Sequence, residues 1–311
     1  MSLNILYAGA GEDWADYKDP LEKAVSDQGL SALVAAEMEP ADVDYIVYAP
    51  SGPVDDFRPF TRCKAVLSLW AGVERIVGNP TLTQPLARMA DSGLREGMIE
   101  WVTGHVLRHH LGMDTHIHGQ DGLWRPDSLA PLARNRTVAM LGMGALGAAC
   151  AQALTALNFR VLGWSRRQKD VAGVECFSGD SGLLDVLSQA EIVVLLLPDT
   201  DATTNILNAE KLAAMPRGSF IINPGRGPLI DDDALIAAVD SGQIAHATLD
   251  VFRIEPLPAD HPYWRHPQIT VTPHIASSTR PDTASAFIAE NIARCERGQP
   301  LLAEVDRTSG Y

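Results

Sequence analysis

The sequence predicts an α/β protein built on doubly wound parallel sheets. Short apolar runs alternate along the chain with longer segments of helix-forming residues, a pattern typical of buried strands joined by helices. The chain has 311 residues, of which 46% are hydrophobic and 21% charged, so it can bury two ordinary cores and is not disordered. We therefore expect two domains.

Charge and cysteine content argue against several classes of protein. A net charge of −14 and a pI near 5.0 do not suit a protein that binds nucleic acid or anionic lipid. We expect a cytoplasmic protein, because no basic N-terminal region precedes a long apolar run and no stretch of about 18 apolar residues occurs. The cysteines are not spaced as metal ligands, and we expect reduced thiols and no metal at Cys63, Cys150, Cys176 and Cys295.

A first, smaller domain is predicted from short apolar runs at Asn4–Ala8, Tyr45–Tyr48 and Ala65–Leu69, with a helix at Tyr17–Gln28. The last run is followed by Trp70-Ala71-Gly72-Val73, whose small residues leave main-chain N–H groups open to a ligand. Ligands collect at the carboxyl edge of open α/β sheets. The same four residues would also suit a tight strand-to-helix turn with no ligand.

A long helix is predicted at Gly97–Leu111, and we expect it to cross from the first domain to the second. His105 and His109 lie four residues apart on one face, as in helical metal sites, but no glutamate of an HExxH motif lies between them. We therefore expect surface or interface histidines at His105, His109, His110, His116 and His118. A loop that contains Trp124 follows.

A glycine-rich turn is the clearest ligand-binding motif in the chain. The predicted strand Val138–Leu141 precedes it, the predicted helix Ala145–Leu157 follows, and Gly142, Gly144 and Gly147 have the G-x-G-x-x-G spacing. In that motif the first glycine permits a tight turn, the second admits a pyrophosphate and the third lets helix and strand pack closely. The helix N-terminus offers free N–H groups to phosphates. The motif predicts a dinucleotide site, although a glycine turn with nothing bound has the same spacing.

The next predicted strand, Arg160–Trp164, is followed by Ser165-Arg166-Arg167. An NAD site normally has an acidic residue near this point to bind the ribose hydroxyls, and none is present. A hydroxyl and two guanidinium groups suit a 2′-phosphate instead, because arginine binds phosphate through forked hydrogen bonds. The pattern favours NADPH over NADH, and two solvated arginines in a turn are the alternative.

Further strands are predicted at Glu191–Leu197, Ser219–Ile222, Ala245–Leu249 and Ile269–Thr272. Each is followed by polar or glycine residues. Because the carboxyl ends of parallel strands meet at one edge of a sheet, those residues converge on the edge expected to hold the pyrophosphate. We expect the active site there, and we expect a final helix, Pro281–Arg297, to return to the first domain.

Three ionisable residues, Arg226, Glu255 and His274, follow three successive strands. Histidine titrates near neutrality, a nearby carboxylate orients it, and arginine binds a carboxylate or a developing oxyanion. Together they suit proton transfer to an anionic substrate. Taken singly, each also has a plain interpretation. Arg226 could be a charged residue in a turn, Glu255 a solvated loop residue, and His274 a residue that caps the next segment.

Five segments resemble the motifs of the D-isomer-specific 2-hydroxyacid dehydrogenases, in that family's order. They are the Trp70 loop, the glycine-rich turn, Asn223–Gly227, Leu249–Pro258 and Thr272–Ala276. The sequence is most similar to the glyoxylate/hydroxypyruvate reductase A branch, on the strength of Trp124, Trp164-Ser165-Arg166 and the ending Val305–Tyr311.

The resemblance implies two Rossmann-like domains, with a coenzyme domain at 101–275 inserted into a flavodoxin-like substrate domain at 1–100 and 276–311. It implies an active site in the cleft between them, where NADPH reduces glyoxylate or hydroxypyruvate to the 2-hydroxy acid. It also implies a homodimer built around the coenzyme domains, with the Trp124 loop reaching towards the partner's cleft.

Site residues follow from the same resemblance. His274 would protonate the carbonyl oxygen, Glu255 would support His274, and Arg226 would bind the 2-oxo acid. The substrate site would comprise Arg226, His274 and the loop Trp70, Ala71, Gly72 and Val73. The coenzyme site would comprise Met143, Gly144, Ala145, Leu146, Ser165, Arg166, Arg167, Leu197, Pro198, Pro224, Gly225, Arg226, Asp250, His274 and Ala276, with Asp250 near the nicotinamide carboxamide.

Two departures from the family pattern concern the substrate side chain. Trp70 stands where many relatives have a smaller residue, and Arg253-Ile254 replaces the common acidic and proline positions before Glu255. One alternative is a dehydrogenase of phosphoglycerate or a larger hydroxy acid, although the stretch from Trp70 to Glu74 has no basic residue. The other is a coenzyme-sensing binding module on the same fold, which retention of the three ionisable residues disfavours.

Overall fold

The computed structural model describes residues 2–124 and 129–307. The chain divides into two compact units, one formed by Met1–Leu94 with Ser278–Tyr311 and the other by Arg95–Ser277. The sequence placed these divisions at residues 100 and 275. The last four residues of the ending Val305–Tyr311 lie outside the described residues.

The α-helices of the described residues are, in chain order, α1 (Trp14–Asp27), α2 (Ser92–His110), α3 (Met113–His118), α4 (Ala145–Ala156), α5 (Gly179–Leu187), α6 (Ala209–Ala214), α7 (Asp232–Asp240) and α8 (Pro281–Glu296). Helix α2 continues without a break through the division at Leu94. No helix in the described part of the chain is both long and apolar enough to span a membrane.

The first unit contains a parallel sheet of β1 (Leu3–Ala8), β2 (Ala32–Ala35), β3 (Tyr45–Tyr48), β4 (Ala65–Ser68) and β5 (Leu86–Ala87). The strand order β2-β1-β3-β4-β5 is the flavodoxin-like order. Helices α1 and α8 pack against each other and cover one face of the sheet, where Leu21 and Ile288 join its buried residues. The final helix therefore belongs to the first unit, although it comes from the other end of the chain.

The second unit contains a parallel sheet of β6 (Thr137–Leu141), β7 (Arg160–Ser165), β8 (Glu175–Ser178), β9 (Ile192–Leu195), β10 (Ser219–Asn223), β11 (Ile244–Leu249) and β12 (Ile269–Val271). Their order, β12-β11-β10-β9-β6-β7-β8, reverses between β6 and β9. This is the doubly wound arrangement, in which ligands bind beyond the carboxyl ends of the strands at the point of reversal. The expected α/β fold class is confirmed in both units.

Helix α2 packs on the face of the second sheet through histidines, and this corrects the sequence analysis. His109 and His110 are buried, not on the surface, while His105 is half-buried. His109 stacks on Phe220 with 4.8 Å between ring centroids, and its Nε2 lies 2.9 Å from Thr248 Oγ1. A sequence pattern could not reveal this, because the partners of His109 lie on β10 and β11, more than a hundred residues away.

Burial keeps His109 neutral. Loss of water around the ring is the largest cause, and it lowers the pKa of His109 to about 3, with further lowering from His246 and Arg108 nearby. The same cause lowers the pKa of His246 to about 4. A native state that holds these rings neutral binds fewer protons than the unfolded chain below pH 6.5.

We predict that His109 makes the protein less stable in mild acid. The pKa of His109 in the folded protein lies below its unfolded value near 6.5. Its contribution to the free energy of unfolding is therefore fully present above pH 6.5 and is lost as the pH falls towards 3. At pH 5 the loss from His109 alone should be on the order of 1 to 2 kcal/mol. Denaturant unfolding at several pH values should show a shallower pH dependence for His109→Gln than for the natural sequence. The exposed His116→Gln is the control, and an equal slope in all three proteins would contradict the prediction.

Candidate active site

The glycine-rich turn has the geometry that a bound pyrophosphate requires. Gly142 has a φ of +108°, and a Cβ there would lie 2.4 Å from Leu196 O. A Cβ on Gly147 would lie 1.8 Å from Gly142 O, so strand and helix approach too closely for any side chain. Gly144, by contrast, is exposed and faces open space. The first and third glycines are thus fixed by packing, and the second leaves room for a ligand at the N-terminus of α4.

The residues that follow β7 are the next to reach this edge. Ser165 Oγ donates to Arg167 O at 2.7 Å and closes a short turn. Arg166 and Arg167 are exposed in that turn, at the end of the strand next to β6. Both guanidinium-bearing residues thus follow the strand that pairs with β6, and β6 leads into the glycine-rich turn.

His274 and Glu255 are hydrogen-bonded to each other. Glu255 Oε2 lies 2.7 Å from His274 Nδ1, and Phe252 N donates to Glu255 Oε1 at 2.9 Å. Because a carboxylate only accepts, Nδ1 carries the proton of this hydrogen bond, and Nε2 is the ring nitrogen left for a reacting group. About half of the His274 side chain is exposed, so Nε2 is accessible to a small molecule.

Asp250 holds the turn that carries His274. Its side chain is fully buried, and it accepts hydrogen bonds from Thr272 Oγ1 at 2.6 Å, Ile275 N at 2.9 Å and Ala276 N at 2.8 Å. The main-chain oxygen of Asp250 accepts from His274 N at 2.8 Å. His274 itself has a φ of +55°, which is uncommon for a residue with a side chain. These hydrogen bonds hold that conformation and direct the imidazole towards Glu255.

Arg226 follows β10 and is half-buried. Buried Asn223 fixes its turn, because Asn223 Oδ1 accepts from Gly225 N at 3.1 Å and Asn223 Nδ2 donates to Arg226 O at 2.9 Å. Gly227 then passes so close to the next loop that a Cβ on it would lie 2.0 Å from Phe252 C. The loops that carry Arg226 and Glu255 are thus packed backbone to backbone.

The predicted catalytic residues share one edge of the second sheet, beyond adjacent strands β10, β11 and β12. Of the other residues predicted to bind the coenzyme, Met143 is buried, Leu146 is half-buried and Ala145 is exposed. Leu197, Pro224, Gly225, Asp250 and Ala276 are buried, and Pro198 is half-buried. Sequence analysis missed Asn223 and Thr272, which hold the loops of Arg226 and His274. A polar residue at the end of an otherwise apolar strand is the signal that could have found both.

The Trp70 loop of the first unit leaves several main-chain N–H groups open. Trp70 N donates to Ser68 Oγ at 3.0 Å, and Trp70 O accepts from Met89 N at 3.0 Å. The N–H groups of Ala71, Gly72 and Val73 have no acceptor among the described residues. Successive open N–H groups at the end of a strand can bind a carboxylate.

Comparison with known proteins agrees with this geometry. Residues 103–276 match the family described as D-isomer specific 2-hydroxyacid dehydrogenase, NAD binding domain. A D-isomer specific 2-hydroxyacid dehydrogenase from Xanthobacter autotrophicus Py2, solved with NADPH and MES, is 39% identical with a TM-score of 0.92, and each chain is covered completely.

Two further structures are similar over the full length. An NADPH-dependent glyoxylate/hydroxypyruvate reductase from Sinorhizobium meliloti, solved with NADP and sulfate, is 31% identical with a TM-score of 0.85 and 100% of each chain covered. A probable 2-hydroxyacid dehydrogenase from Rhizobium etli CFN 42, solved with NADP, HEPES and L(+)-tartaric acid, is 31% identical with a TM-score of 0.87, covering 100% of this chain and 99% of the other. The protein belongs to the D-isomer specific 2-hydroxyacid dehydrogenase family and is an NAD(P)-dependent oxidoreductase.

Proposed function

We propose that the protein is an NADPH-preferring reductase of small 2-oxo acids, with glyoxylate and hydroxypyruvate as substrates. The pairing of His274 with Glu255 beside the Arg226 loop is the observation that carries this proposal. The similarity to the Sinorhizobium meliloti reductase supports the choice of substrates. A screen of 2-oxo acids that follows NADPH and NADH oxidation tests it directly. Absence of turnover with every 2-oxo acid would favour a coenzyme-sensing module.

In the proposed reaction, His274 donates a proton from Nε2 to the carbonyl oxygen of the substrate. Glu255 keeps the imidazole oriented and stabilises its protonated form. Arg226 would bind the substrate carboxylate, and the family resemblance assigns the N–H groups of Ala71 to Val73 to substrate binding as well. When bound, the reduced nicotinamide supplies hydride to the carbonyl carbon.

The coenzyme proposal rests on the turn after β7. Arg166 and Arg167 stand where an acidic residue would bind the ribose hydroxyls of NADH. The three structures compared above were solved with NADPH or NADP. The open space at Gly144 and the N-terminus of α4 would receive the pyrophosphate, with Met143, Ala145 and Leu146 contributing main-chain contacts.

A second candidate substrate class is a 2-oxo acid with another anionic group. The stretch Trp70 to Glu74 has no basic residue, but Arg75 follows it directly and brings its guanidinium to 5.8 Å from the centre of the Trp70 ring. This pair would place a positive charge beside the substrate loop. A higher kcat/KM for a phosphorylated or dicarboxylic 2-oxo acid, lost in Arg75→Ala, would identify this class as the substrate.

The proposed homodimer is supported by exposed apolar side chains in the segment between α2 and β6. Leu111, Ile117, Leu123, Trp124 and Leu129 are all exposed, and Trp124 is 92% exposed. Large apolar side chains left exposed in one segment of the chain favour burial against a second copy. Light scattering at micromolar concentration should give twice the monomer mass, and a fully active monomer would refute the dimer.

We predict that Arg166→Ala weakens NADPH binding selectively. Loss of a charge-assisted forked contact should cost about 1.5 to 3 kcal/mol, roughly tenfold or more in Kd, for NADPH and little for NADH. Fluorescence titration with both coenzymes measures this. Lys169→Ala, an exposed charge a few residues along, is the matched control. Equal weakening for both coenzymes would assign Arg166 to the pyrophosphate or the fold instead.

We predict that the rate falls as the pH rises, because only the protonated imidazole of His274 can donate. Glu255→Gln removes the charge that favours that form, so the decline should begin at lower pH while the Kd for coenzyme is unchanged. His274→Ala should lower kcat about a hundredfold or more at every pH. Arg226→Ala should raise KM for the 2-oxo acid as well as lower kcat. A pH profile of Glu255→Gln that overlays the natural one would remove Glu255 from the mechanism.

A further inference from the structure

Arg253 departs from the family pattern, and the structure gives its side chain an internal role. Its Nη2 donates to Asn205 Oδ1 and to Ile230 O, and its Nε lies 3.3 Å from Asp232 Oδ2. Tyr263 OH donates to the other oxygen of Asp232 at 2.9 Å, so that carboxylate is held from two sides. The guanidinium is thus occupied by this chain's own acceptors rather than directed at a substrate.

The acceptors of Arg253 lie on the loops of neighbouring strands. Asn205 belongs to the loop after β9. Ile230 belongs to the loop after β10, which begins with the turn of Arg226, and Asp232 is the first residue of α7, which follows that loop. Asn205 N also donates to Pro228 O at 2.8 Å, which joins those two loops to each other. Arg253 therefore connects the loop after β11 to the segments that follow β10 and β9, the next two strands along this side of the sheet.

The other end of the same short segment carries Glu255. One residue, Ile254, separates Glu255 from Arg253, and the Glu255 carboxylate is held by Phe252 N on one oxygen and by His274 on the other. The close approach of Gly227 to Phe252 fixes the start of the segment but does not fix how it turns. The hydrogen bonds of the Arg253 guanidinium fix that turn, because they tie Arg253, which directly follows Phe252, to two separate loops.

We propose that Arg253 is a positioning residue that holds Glu255 in reach of His274 and sets the place of that pair relative to Arg226. This inference rests on the proposed function for its kinetic part. Charge alone would act in the opposite direction. Loss of a nearby positive charge favours a protonated His274, whereas loss of a correctly placed Glu255 disfavours it. Of the charged groups around His274, Glu255 contacts the ring, and the Asp250 carboxylate accepts from the adjacent Ile275 N and Ala276 N.

The test compares Arg253→Gln, Arg253→Lys and Glu255→Gln in the full-length protein. Nuclear magnetic resonance of labelled histidine follows protonation of His274, whose signal is assigned by its loss in His274→Ala. In Arg253→Gln we expect the titration of His274 to move to lower pH, as in Glu255→Gln. We expect kcat to fall roughly tenfold to a hundredfold with the Kd for coenzyme unchanged. Arg253→Lys, which keeps the charge but not the fork, should lie between Arg253→Gln and the natural protein.

Arg265→Gln is the matched control, since it removes an exposed positive charge from the same part of the chain. An unchanged His274 titration in Arg253→Gln, or one that moves to higher pH, would overturn the positioning role. If Arg253→Gln does not fold, the same criteria apply to Arg253→Lys. If the natural protein reduces no 2-oxo acid, the proposed function fails, but the titration of His274 still decides the role of Arg253.

Discussion

The buried carboxylate of Asp250 holds the turn on which the proposed chemistry depends. A carboxylate without contact with water is stable only when hydrogen bonds replace its hydration, and this one receives a hydroxyl and two main-chain N–H groups. The groups it satisfies flank His274, so the requirement to solvate the anion also fixes the imidazole. The position of His274 therefore depends on the buried Asp250 carboxylate as well as on the hydrogen bond to Glu255.

The two-residue repeat of strand β11 places packing residues and a site residue on the same face of the sheet. His246, Thr248 and Asp250 alternate along it, and successive alternate residues of a strand face the same side. His246 and Thr248 meet polar groups on β12 and α2, and Asp250 lies just beyond the strand. The sheet therefore has a polar stripe on this face that leads to the edge where the catalytic residues gather.

The sequence predicted much of this arrangement because its strongest signals are local. Apolar runs marked the long buried strands, and the glycine spacing marked the turn before α4. The sequence analysis did not include β2, β5 and β8. Strand β5 has two residues, and β2 and β8 are four-residue strands that are partly exposed. The burial of His109 and the roles of Asn223, Thr272 and Arg253 depend on partners remote in sequence or on main-chain groups, which residue patterns do not reveal.

The first unit is assembled from both ends of the chain, and this has a consequence for its synthesis. Helix α1 packs on α8, and Ala284, Ile288 and Ile292 complete the core around Leu21. A ribosome releases α8 only after the whole of Arg95–Ser277 has emerged. The contiguous second unit can therefore fold while the N-terminal segment still lacks part of its core, and the nascent chain must carry that incomplete apolar surface until translation is nearly finished.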